Sequence, residues 1–248
     1  MLNILIIFIF FTIVGLNPVF AACEDPAAPE VNWSYCDLEG KTFKNMDLTG
    51  AVFTNAVLDN TNFSGAIVEH ADFNFASLHN ASFENARMAN SHLVAVKAKA
   101  ANFKNADLVR SNFSRANLEN TNFQGAKATE VNFYGASMMN ADFSQAKLTR
   151  SSFEQAKLKA AIFTQATAEQ ATFVRARLEQ VNFRNAKLMK TVFDESDCRR
   201  SDFSSADLSK ATFRQAKIDE SIFTKAILGD TIWSDYKRCR STSIGVCE

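Results

Sequence analysis

From Leu38 to Trp233 an apolar residue stands at every fifth position, in 40 consecutive units without an insertion or a deletion. Two combs interleave to make this pattern. Phe43, Phe53, Phe63, Phe73, Phe83 and Phe103 begin a ten-residue series that runs to Phe223, with Leu93 and Trp233 in place of Phe. Midway between them fall Leu38, Leu48, Leu58, Leu78 and Leu108, a series that continues to Leu228 and admits Val68, Met88, Met138 and Ile218. Two positions before each centre stands a small residue, Ala in 24 of the 40 units, with Lys41 and Met46 as the exceptions.

A period of five belongs to neither regular element. On a helix each step of five turns the apolar residue by about 140°, and on a flat strand successive centres alternate between faces. All the centres face one way only if the chain turns a corner inside every unit, so that centre and small residue point inward and the other three meet water. The corner positions carry residues that tolerate unusual backbone angles, among them Gly40, Asn45, Gly50, Asn55, Asn60 and Gly65. No Pro follows Pro29, so every backbone donor of the repeat stays available for pairing between coils.

Stretches such as Ala106-Asp107-Leu108-Val109-Arg110 and Ala206-Asp207-Leu208-Ser209-Lys210 resemble the pentapeptide-repeat family. The resemblance implies an all-β fold, a right-handed quadrilateral β-helix with four units per coil. Forty units then make about ten coils, and a strand spacing of ~4.8 Å gives a rod roughly 48 Å long. With four units per coil, the Phe centres fall on two opposite walls and the Leu centres on the other two. Ala98, Ala128, Ala168 and Cys198 occupy large-residue positions of the Leu walls, where local under-packing is expected. Residues 36–235 are assigned to the solenoid, residues 22–35 with Trp33 to an N-terminal cap, and residues 236–248 to a C-terminal cap. Capped ends lead to the expectation of a monomer.

The first residues form an address. Residues 2–16 are uncharged and almost wholly apolar, and Val19-Phe20-Ala21 suits signal-peptidase cleavage after Ala21 or Ala22, so residues 1–21 are read as a secretory signal. The run is shorter than the ~20 residues of a spanning helix. Export to the periplasm or medium is expected, with no transmembrane segment after cleavage. Phe20-Ala21-Ala22-Cys23 also resembles a lipobox, which leaves a lipoprotein anchored at Cys23 as a second reading. Five Cys remain. In an oxidising compartment Cys23 with Cys36 and Cys239 with Cys247 would staple the two ends, with Cys198 as a buried free thiol, although spacing alone does not fix connectivity.

Charge narrows the function. Twenty-seven basic residues balance 27 acidic ones, and the leader contributes none of them. DNA mimicry directed at a topoisomerase, an activity the resemblance implies, requires a strongly acidic rod in the cytosol. That reading is therefore the alternative, and a nucleic-acid partner is not expected. The three His fall on different walls, with Asp59 one coil below His79 and Asp72 one coil below His92, and neither pair has a nucleophile or second acid in its column. No phosphate-binding loop occurs. No catalytic residue, metal site or cofactor is assigned, and the chain is read as non-enzymatic.

What remains is an interaction scaffold whose partner is an unknown protein or envelope component. The outside of one Phe wall carries Phe75, His92, Val94, Tyr134 and Val174 with few charges between residues 72 and 135, which makes these five the candidate contact residues. A Lys-rich group, Lys97, Lys99, Lys147, Arg150, Lys157 and Lys159, offers a second, electrostatic mode of attachment to a cell envelope.

Overall fold

A computed structural model describes residues 23–248; the signal segment 1–21 and Ala22 lie outside them. The residue just before each wall centre bridges in parallel to the residue twenty positions later, from Asn32↔Val52 to Thr212↔Ile232, without a change of register. One coil is therefore twenty residues, four units of five. The bonding within a unit is uniform. Phe63 N–H donates upward to Ser82 O (2.7 Å), Asn62 N–H donates downward to Lys41 O (3.0 Å), and Ala66 N–H closes the corner on Phe63 O (2.9 Å).

Every fifth residue from Glu30 to Asp230 has φ between +55° and +69°, the third residue of a turn of the type II kind. Gly, Asn and Asp accept that region most readily. At Gly65 a Cβ would stand 2.2 Å from Asn45 Oδ1, so any side chain there requires the Asn45 amide to turn away. In the second half of the rod the corners are Gln145, Arg150, Gln155, Lys190 and Arg200, whose positive φ is held by the coils above and below. The residue before many centres is Asn or Asp for a local reason: its Oδ1 accepts the N–H two residues on, as Asn62 does from Ser64 (2.9 Å) and Asn122 from Gln124 (2.9 Å).

Four walls enclose the core. Wall 1 carries Phe43 and every twentieth residue to Phe223, wall 2 Leu48 to Leu228, wall 3 Trp33 to Trp233, and wall 4 Leu38 to Ile218. Wall 1 is unbroken Phe, with successive rings stacked at 4.7–5.1 Å. Wall 3 stacks its Phe rings at 4.7–5.4 Å, is interrupted at Leu93, and ends in tilted Trp33 and Trp233, and rings from walls 1 and 3 meet edge to face, as Phe103 meets Phe113 at 5.5 Å and 90°. This alternation satisfies both preferred geometries of an aromatic pair. Hydroxyls at the small inward positions are also bonded: Ser91 donates to Val68 O (2.7 Å) and Ser111 to Met88 O (2.7 Å), each spanning to the coil below. Ala98, Ala128, Ala168 and Cys198 are fully buried.

The two ends are built differently from each other. At the N-terminus the coil register already holds at Val31, inside the segment expected to be cap, because Trp33 is the first rung of wall 3 and lies 5.1 Å from Phe43 and 5.7 Å from Phe53. A Cys23–Cys36 disulfide ties the preceding residues to this first coil. At the C-terminus residues 236–248 fold back, pairing antiparallel at Ile232↔Arg238 and Ile227↔Ile244, and Cys239–Cys247 closes the loop.

Candidate functional site

The five candidate residues share wall 3, on its outer face, and the coil geometry decides which of them meet. Phe75 occupies a corner (φ +63°) and is 55% exposed. Its N–H donates to Val94 O (3.0 Å), and Val94 N–H is held by Asn74 Oδ1 (2.8 Å), so Phe75 and Val94 form one rigid patch with the exposed imidazole of His92 beside it. Tyr134 lies two coils higher and donates its hydroxyl to Gln155 Oε1 (3.0 Å). Val174 is separated from Tyr134 by the Arg175–Glu154 ion pair (2.6 Å). The stripe thus begins as a compact aromatic and aliphatic patch and ends at a charged crossing.

One exposed aromatic adjoins this patch and escaped the sequence reading. Tyr35 is 77% exposed and stands at the same corner as Phe75, two coils lower, with Asn55 between them. The signal was available, since 35, 55 and 75 differ by whole coils, but Tyr35 fell in the segment assigned to the cap. Along outer wall 3 from Asp72 to Gly135 the only formally charged residues are Asp72 and Arg115. Wall 2 over the same coils carries Arg87, Asp107, Arg110, Lys127 and Glu130.

The Lys-rich group does not converge. Lys97, Lys99, Lys157 and Lys159 are on wall 4, whereas Lys147 and Arg150 are on the opposite wall 2, where Arg150 pairs with Glu130. The carboxylates expected beside imidazoles serve other partners. Asp59 Oδ1 accepts from Ser77 Oγ (2.6 Å) and His79 N–H (2.9 Å), and Asp72 Oδ1 accepts from Asn74 N–H (2.8 Å).

Higher on wall 4 an open groove is lined by alternating charges, Lys159, Glu179, Arg199 and Asp219, with Arg200 and Glu220 along the corner. Both arginines are already paired: Arg200 meets Glu220 at 2.9 Å, and Arg199 holds the neighbouring Asp197 at 2.5 Å, its hydrogen bond keeping that carboxyl below the ordinary carboxylate range. Cys198 lies beneath this region. Burial pushes its thiol up to about 12, and its sulfur lies 3.1 Å from Ser196 Oγ, so it packs as a small apolar residue and carries no thiolate nucleophile. In this structure the sulfur of Cys23 is bonded to that of Cys36. Among the described residues no group of three His, Cys, Asp or Glu could hold a metal ion, and no helix is long and apolar enough to cross a membrane.

Comparison with protein families matches the pentapeptide repeat region over residues 76–148 and 146–223, and pentapeptide repeats (8 copies) over residues 31–65 and 56–93. Comparison with curated proteins returns no match. Among solved structures, HetL, a pentapeptide repeat protein involved in heterocyst differentiation regulation in the cyanobacterium Nostoc, aligns at 22% identity over 85% of this chain and 92% of its own, with a TM-score of 0.47. A pentapeptide repeat protein from the Arabidopsis thaliana thylakoid lumen aligns at 26% identity over 39% of this chain and 68% of its own (TM-score 0.39). Full-length QnrB1, a plasmid-mediated fluoroquinolone resistance protein, aligns at 17% identity over 77% and 85% (TM-score 0.36). The architecture is the right-handed quadrilateral β-helix expected from the repeat.

Proposed function

The chain belongs to the pentapeptide-repeat family, and from that premise we propose that it is an exported, non-enzymatic scaffold that binds a protein partner along the lower half of wall 3. The observation that carries the reading is the exposed Phe75, one coil below Val94 and His92 on a stretch of that wall with few charges. Exposed aromatics on an otherwise solvated surface supply contact area at low entropic cost and are enriched where proteins meet. Two disulfides at the ends suit an oxidising compartment, which supports export. Zero net charge argues against an acidic surface that imitates DNA.

One experiment with two readouts tests this. The full chain is expressed with a C-terminal tag in its native host, and the tagged protein is crosslinked, recovered and weighed beside a Phe75→Ser/Tyr134→Ser double variant. The expected result is a mass beginning near Ala22 with both disulfides intact, and a crosslinked partner lost from the double variant at unchanged thermal midpoint. An unprocessed mass with free thiols defeats the export reading; equal capture by both proteins defeats the wall 3 reading.

A further inference from the structure

We infer that the C-terminal end of the rod takes up a peptide segment of another protein that bends at one corner, adding a short strand on wall 4 and another on wall 1 along the ledge formed by residues 216–225. In the coils below, the N–H of each centre and corner donates to the coil above, as Phe203 does to Ile222 O (2.7 Å) and Ser205 to Thr224 O (2.9 Å). In the last coil the equivalent N–H groups of Ile218, Glu220, Phe223 and Lys225 have no acceptor among the described residues, and the carbonyls of Ala216 and Ser221 have no donor. An array of unpaired donors and acceptors at strand spacing is the recognition element of β-strand addition.

The chain fills this role for itself on the other two walls. Leu228 N–H donates to Ser243 O (2.9 Å) and Cys239 N–H to Thr231 O (2.9 Å), so the hairpin of residues 236–248 is the added strand of walls 2 and 3. It goes no further. Gly245, whose N–H donates to Ala226 O (2.8 Å), stands against Lys225 N; beyond it the chain is held to Cys239 by the disulfide at Cys247 and leaves the N–H groups of Ile218, Glu220 and Phe223 without an acceptor.

The hairpin also decides what fits. It stands one strand spacing, ~4.8 Å, above walls 4 and 1. A whole coil laid across this end would rest on the hairpin and miss the ledge, whereas a single segment of chain that bends at the corner fills it. Side chains point the same way. The outward residue before the centre is polar in most coils, yet in the last coil it is Ile222, Ile227 and Ile232 in three consecutive units. Ile227 has Asp207 below it and Ile244 of the hairpin above, while Ile222 has Asp202 below and no cross-strand neighbour above among the described residues. The segment that docks should set an apolar side chain beside Ile222, as Ile244 sits beside Ile227.

A synthetic ten-residue peptide with the sequence of residues 156–165, which occupies walls 4 and 1 three coils lower and carries Ile162 in the column of Ile222, serves as probe. Amide hydrogen exchange is followed residue by residue in the full chain. Exchange at Ile218, Glu220 and Phe223 should slow about tenfold once nine sites in ten are occupied, and Ile222→Lys should weaken the peptide severalfold at unchanged thermal midpoint. Unaltered exchange at all three amides in millimolar peptide overturns the proposal. Protection that grows with protein concentration in the absence of peptide also overturns it, by making a second copy the occupant.

Discussion

The Phe walls and the Leu walls bury the same number of side chains per coil but obey different rules. Wall 1 is Phe in every coil, its rings stacked within 4.7–5.1 Å of one another and wedged edge-on against wall 3. Walls 2 and 4 admit Val68, Met88, Ala98, Ala128, Met138, Ala168 and Cys198 among their Leu residues, all fully buried. A stacked ring constrains its neighbours in position and in orientation, so a substitution is felt one coil up, one coil down and across the core. An aliphatic side chain constrains volume alone. The Phe walls therefore set the rod's geometry, and the Leu walls fill what is left.

The contrast is broken most severely by Phe143→Ala, which removes a ring stacked on Phe123 and Phe163 and set against Phe133 and Phe153. Denaturant titration should show a loss of about 3–5 kcal/mol; a loss below about 1 kcal/mol would mean that the ladder heals around a gap and the two kinds of wall are equivalent. Ala128→Leu sharpens it from the other side. Leu108 and Leu148 flank a methyl on wall 2, and restoring the isobutyl group should add about 1–2 kcal/mol. A lowered thermal midpoint would show that the neighbouring walls have already closed in. The smallest effect concerns Cys198 of wall 4. Its folded thiol titrates near about 12 against 9.0 for a free one, because burial disfavours the thiolate. The raised folded value means that its contribution is complete below pH 9.0 and is lost as pH rises from 9.0 through about 12. The stability difference between the parent and Cys198→Ala should be flat below that window and shift against the parent within it, as thermal melts at several pH values would record.

Much of this was legible because the repeat leaves little freedom. Once Phe43 and Phe63 are known to be one coil apart, both ladders, the corners and the burial of Cys198 follow. The two ends were less legible for a definite reason. Ile244 and Arg238 pair antiparallel with Ile227 and Ile232 in a segment that has no period, so no comb could announce them. Trp33 hid the true start of the solenoid at Val31, since the first rung of wall 3 is not a Phe. The surface was partly legible. Phe75 and Val94 could be placed together by counting coils, but the Arg175–Glu154 pair that isolates Val174 depends on how two side chains lean, which periodicity does not encode. Likewise, Asp59 and Asp72 stand beneath imidazoles by position, yet spend their oxygens on hydroxyl and backbone donors.

The invariant twenty-residue bridge gives the rod something like the phase of a screw. Excision or duplication of one full coil changes length and leaves every later residue on its own wall. A lesion of five residues keeps the inward and outward rhythm but rotates everything beyond it by a quarter turn, setting Leu columns above Phe columns and carrying the distal surface around the axis. Length and facing direction are thus separately heritable properties of this chain, one changed in steps of twenty residues and the other in steps of five.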